Sequence, residues 1–121
     1  MLTLLHLYLG LLVVLSNGVA ALGLFLFDRW GRELTDWPLL ALYTARTSLA
    51  LQIGLGIVLI GRGGVGVNTH YFFAILAGVA TWIAFTRSRR TPSHPLRILA
   101  LGCALTCALA LGAYLAGQGG V

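Results

Sequence analysis

The chain has 121 residues, 59% of them hydrophobic and 9% charged, with a mean hydropathy of +0.93. A water-soluble domain of that composition would have no polar surface to show, so the chain belongs in lipid, and four spans leave no room for a soluble catalytic domain. The net charge of +5 rests on eight positive residues, all arginine, and most fall in loops, which speaks for membrane orientation and against nucleic-acid binding.

Four apolar runs, at 2 to 27, 37 to 61, 70 to 86 and 96 to 116, approach or exceed the ~20 residues with which a helix crosses ~30 Å of hydrocarbon. A closed β-barrel would need alternating segments of ~10 residues, whereas these runs are continuous and rich in Leu, Ala and Gly. The expectation is an all-α, four-transmembrane-helix bundle in up-down-up-down order, forming one integral membrane domain over 1–121.

No Lys or Arg precedes the first run, and it exceeds the 7 to 15 apolar residues of a secretory signal, so it is read as a retained helix. His6, Gly10, Val13, Asn17 and Ala20 recur at helical spacing along one face of it. The loop DRWGRELTDW follows, with Arg29, Arg32 and the chain's three acids, Asp28, Glu33 and Asp36. In the second run Pro38 suits a first helical turn. Arg46 then falls about nine residues, or ~14 Å, into the span. A guanidinium near mid-membrane costs at least ~2.5 to 3.5 kcal/mol, so it marks a function or a partner unless it snorkels toward the helix N-terminus. No acid lies within any span to neutralise it. Its expected partners are Thr44, Ser16 or Asn17, water, an anionic lipid or cofactor group, or an acid from another subunit. Gln52 can donate to a quinone carbonyl, orient an imidazole, or simply tie helices together.

GRGGVG in the second loop superficially resembles a phosphate loop, but it follows a membrane helix and lacks GK[ST]. Asn68 or Thr69 can cap the third helix. That helix repeats the first one's pattern with His70, Ala74, Ala77, Thr81 and Ala84 on one face. The loop RSRRTPSHPLR brings Arg87, Arg89, Arg90 and Arg97, helix-stopping Pro92 and Pro95, and a solvated His94. In the fourth run Cys103 and Cys107 share a face with Gly102, Ala110 and Gly112, a packing pattern, since spacing of four in a helix rarely permits a disulfide. The tail GQGGV should fray. Trp30, Trp37 and Trp82 fall at span ends, as interfacial indoles do, and Tyr8 and Tyr71 read as anchors. Arginine-rich loops one and three are expected in the cytoplasm, which puts both termini outside a bacterial inner (cytoplasmic) membrane.

Odd-numbered helices start on the same side, so His6 and His70 lie in one leaflet whichever way the chain inserts. Two neutral imidazoles facing a gap lined by Gly and Ala are what a b-type haem requires, with His6 and His70 as axial ligands of its iron. Two other readings stay open: a pair at the wet interface, and a quinone or proton site with Gln52.

Size and span number resemble the small multidrug transporters, but those depend on an acid in the first helix and this chain has none there. LHLYLGLLVVLSNG and THYFFAILAG resemble small four-span bacterial proteins whose first and third helices open with histidines, and the histidine-bearing bundles of haem-anchoring respiratory subunits. The resemblance implies an electron-transfer membrane. Two functions follow. One is a non-catalytic accessory or scaffold subunit, packed against a larger membrane partner or a second copy, with Arg46 and Asn17 at the contact. The other is a redox module holding haem b or a quinone through His6, His70 and Gln52. An oligomeric transporter of an anion ranks third. No nucleophile with an adjacent base and no carboxylate pair faces the interior, so no catalytic residue is assigned.

Overall fold

The computed structural model describes residues 1–63, 68–90 and 93–119. They form α1 (Leu2–Arg29), α2 (Asp36–Gly61), α3 (Asn68–Arg90) and α4 (Pro95–Gly119), with no strand among them. All four helices are long and apolar enough to cross a membrane, which marks an all-α four-helix membrane protein. Residues 64–67 of the glycine-rich second loop, residues 91–92 with Pro92 among them, and residues 120–121 of the tail lie outside the described residues.

α1 outruns its apolar stretch by two residues and α3 by four, both at the arginine-rich end. Arg29 ends α1, and Arg87, Arg89 and Arg90 stand in the last turn of α3, where cations complement the negative end of the helix dipole. The turn after α1 is a Schellman closure. Gly31 takes φ +66, its N–H donates to Asp28 O at 3.2 Å, and the Arg32 N–H donates to Phe27 O at 2.9 Å. The Arg32 guanidinium then covers the Phe27 ring at 4.5 Å. Asp36, at φ 55, turns the chain into α2, and buried Pro38 sits within its first turn. Pro95 is the first residue of α4, where its missing N–H is harmless. Asn68 and Thr69 are already helical, so the position that would cap α3 precedes them, outside the described residues.

Close packing follows the small residues, because within lipid helices associate where backbones can approach. Val13, Asn17 and Ala20 of the α1 stripe are buried, at 1%, 3% and 0% exposure. A Cβ on Gly23 of α1 would meet Trp37 and Pro38 of α2, one on Gly18 would touch Cys107 of α4, and one on Gly102 of α4 would collide with Ala84 of α3. The α3 stripe therefore faces α4. α1 lies between α2 and α4, α4 lies between α1 and α3, and α2 and α3 barely touch. The most apolar stretches of α1 and α4 are 33% and 28% buried, against 17% and 6% in α2 and α3. The up-down-up-down bundle is thus closed along three sides and open along the fourth.

The main core gathers Leu24, Phe27, Leu42, Ala45, Leu99 and Cys103 with their neighbours at the end of loops one and three. A smaller cluster, Val13, Leu49 and Ala77, lies nearer the other end. Beyond it lie three polar side chains, His6, Gln52 and His70.

Candidate functional site

Two polar layers occupy the bundle. In the first, helix pairs are tied by hydroxyls. Ser16 of α1 meets Ser48 of α2 at 3.3 Å, Thr81 of α3 meets Thr106 of α4 at 3.0 Å, and Cys107 Sγ–H donates to Val14 O of α1 at 3.3 Å. The Ser16, Ser48 and Thr81 hydroxyls each also donate to, or lie within bonding reach of, a carbonyl of their own helix.

Arg46 enters this layer from α2. None of the partners expected for it within the chain accepts from it; their own donors go to helix carbonyls, Thr44 to Leu40 O at 2.9 Å, Asn17 Nδ2–H to Val13 O at 2.9 Å, and Ser16 to Leu12 O at 2.6 Å. The guanidinium instead lies over the Phe85 ring of α3, 4.8 Å from its centroid. No carboxylate among the described residues pairs with it. Phe85 precedes the end of α3 by five residues, ~8 Å along the helix, whereas Arg46 lies ten residues, ~15 Å, inside α2. The side chain has snorkelled toward the α2 N-terminus. Beside it Asn17, Thr81, Thr106 and Cys103 line a cavity of about 10 Å³, room for a single water.

The second layer lies at the opposite end, and all four helices supply it. His6 of α1 and His70 of α3 are brought together, their ring centroids 6.0 Å apart and their planes at 70°. His70 Nδ1–H donates to the Ala113 carbonyl of α4 at 2.7 Å, which leaves Nε2 with its lone pair. The Gln52 amide of α2 reaches His6 Nε2 at 3.5 Å. Two buried atoms in this layer have no partner, His6 Nδ1 and Gln52 Oε1. Glycines make the room. A Cβ on Gly10 would come within 3.0 Å of the Gln52 amide, one on Gly56 within 3.4 Å of His6, and one on Gly117 within 3.2 Å of His70.

Haem between these rings would need an Nε2 lone pair from each. His70 supplies one. His6 does not, because Gln52 engages its Nε2, and its Nδ1 neighbours the ring carbon that carries Cβ, so a macrocycle bound there would run into α1 itself. The His6–His70 pair in this arrangement does not fit a bis-imidazole haem. The cavity beside Arg46 is too small for a quinone, and the lining of a groove of about 280 Å³ between Leu12 and Tyr43 does not include Gln52.

Cys103 and Cys107 are free thiols within helix packing, as their spacing implied. His94 is exposed and lies 3.9 Å from Asp28, whose carboxylate also accepts from Arg97 Nε at 3.1 Å, a clasp between α1 and α4. Phe85, Ala113 and Gly117 were not foreseen. A backbone carbonyl carries no sequence signal, but a ring one side-chain length from the arginine in depth was there to be found. No known protein family, curated protein or solved structure matches this chain.

Proposed function

We propose that this protein is a small non-catalytic accessory subunit of a bacterial inner membrane that packs, through the open side between α2 and α3, against a larger membrane protein. Arg46 carries the reading. A half-buried guanidinium that faces one aromatic ring and has no carboxylate among the described residues is electrostatically incomplete, and charges within membranes are ordinarily paired. Charge complementarity selects the occupant: a transmembrane helix carrying an Asp or Glu at the depth of Phe85. The apolar faces beside it, with Ile57, Ile75, Val79 and Trp82 exposed, suit a partner helix. Clustering of Arg87, Arg89, Arg90 and Arg97 against Arg62 alone at the other end supports a cytoplasmic placement of loops one and three and extracytoplasmic termini.

The test is native electrophoresis of gently solubilised membranes. Wild-type protein should migrate in a species well above its own mass, Arg46→Leu should run as the free subunit, and Arg46→Lys should fall between. Wild-type migration at the monomer mass, or no change on Arg46→Leu, refutes the reading, and a species at twice the monomer mass replaces the foreign partner with a second copy.

A further inference from the structure

The histidine layer has the arrangement of an ion site, though not of a haem site. When a metal is bound by imidazole, the ring nitrogen that does not bind it is ordinarily held by an oxygen acceptor, which fixes the tautomer and the aim of the ring. His70 has this feature outright, with Nδ1–H on the Ala113 carbonyl. His6 has it as soon as the Gln52 amide turns its oxygen to Nε2–H, an exchange of two ends of equal shape. That tautomer leaves His6 Nδ1 as a bare lone pair, buried and without a partner. The steric objection to Nδ1 vanishes for a bare ion, which has no macrocycle to collide with α1. The ring separation also agrees. Two metal–nitrogen bonds of about 2 Å plus the two ring radii place the centroids of imidazoles sharing one ion about 6 Å apart, and the observed separation is 6.0 Å.

The surroundings choose the ion. Among the described residues no cluster of three or more His, Cys, Asp or Glu exists, so the ligand set is two neutral nitrogens. The chain's three acids lie at the far end of the bundle. Without a carboxylate or thiolate to neutralise it, a divalent cation would keep its full charge between two neutral ligands, and the cost of holding it there rises steeply with charge. A monovalent ion that imidazole binds and that accepts two ligands is copper(I). We infer that His6 and His70, steadied by Gln52 and the Ala113 carbonyl, bind one copper(I) ion between α1 and α3. This does not rest on the docking role of Arg46, which lies at the other end of the bundle.

The experiment is anaerobic titration of the full chain in detergent with copper(I), in competition with a chromophoric chelator, with X-ray absorption on the loaded wild-type protein. One ion per chain is expected, with two nitrogen neighbours at about 2 Å and no sulfur. Affinity should fall at least ~100-fold in His6→Ala and in His70→Ala, and ~10- to 100-fold in Gln52→Leu. Cys103→Ser/Cys107→Ser should bind as the wild type does. Because a histidine variant can fail by unfolding, the absorption spectrum of the wild type decides independently. No binding, sulfur neighbours, affinity indifferent to both histidines, tighter binding of zinc than of copper(I), or a Soret band on adding haemin would each overturn the assignment.

Discussion

Arg46→Leu should make the isolated protein more stable while removing its ability to assemble. At a helix centre arginine is disfavoured by ~2.5 to 3.5 kcal/mol and leucine favoured by ~0.3 to 0.6, a difference of about 3 to 4 kcal/mol. Two features reduce it. The guanidinium has moved ~7 Å toward the α2 N-terminus, where the penalty is smaller. It also lies over Phe85 at 4.8 Å, a cation–π contact of about 1 to 2 kcal/mol when partly desolvated. About 1 kcal/mol in favour of leucine remains. Reversible unfolding of the purified subunit in mixed micelles reads this directly, since without a partner the charge is pure liability. A variant less stable than wild type by about 1 kcal/mol or more would show that Arg46 is a structural tie between α2 and α3, and the argument for an external acid would fall with it.

Gly102→Ala should part α3 from α4, because its Cβ collides with that of Ala84; overpacking of this kind costs about 1 to 3 kcal/mol. Adding Ala84→Gly should recover most of the loss, and a double-mutant cycle without coupling would contradict the contact. Asp28→Asn should weaken the α1–α4 clasp by about 0.2 to 1 kcal/mol, since Arg97 and His94 are largely exposed. The difference should shrink at high salt, and a salt-independent loss would point to packing instead.

The four helices, their stripes and their punctuation were legible because the membrane imposes one rule on the whole chain: long apolar runs with internally paired backbones, small residues where helices meet. Val13, Asn17 and Ala20 are buried as their spacing indicated, and His6 and His70 meet because odd-numbered helices start on one side. What the sequence could not disclose is which neighbour each stripe faces. The α1 and α3 stripes have the same spacing, yet the first packs along both α2 and α4, whereas the second lies chiefly against α4. Arg46 was legible as a problem but not in its solution, because its partner is a π-face that no polar inventory counts. The tautomers of the histidines were equally hidden, depending as they do on a carbonyl and on an amide that turns either way.

The open side has its own physical origin. Of the α2 glycines, Gly54 and Gly61 meet nothing within 4 Å and Gly56 meets only His6, so none admits α3. The two helices touch through side-chain ends, Ile53 against Gly78 and Arg46 over Phe85. Parting them forfeits only a few dispersion contacts, whereas parting α3 from α4 would break a backbone-close seam. A partner helix can therefore enter between α2 and α3 at little expense to the rest of the fold. In a chain carrying Cys103→Ser and Cys107→Ser, Ile53→Cys and Gly78→Cys joined by a short thiol-reactive linker should leave helix content unchanged and abolish the larger species on native electrophoresis. Unimpaired assembly of the linked protein would mean that the partner docks on another face, and that the gap between α2 and α3 is filled by lipid alone.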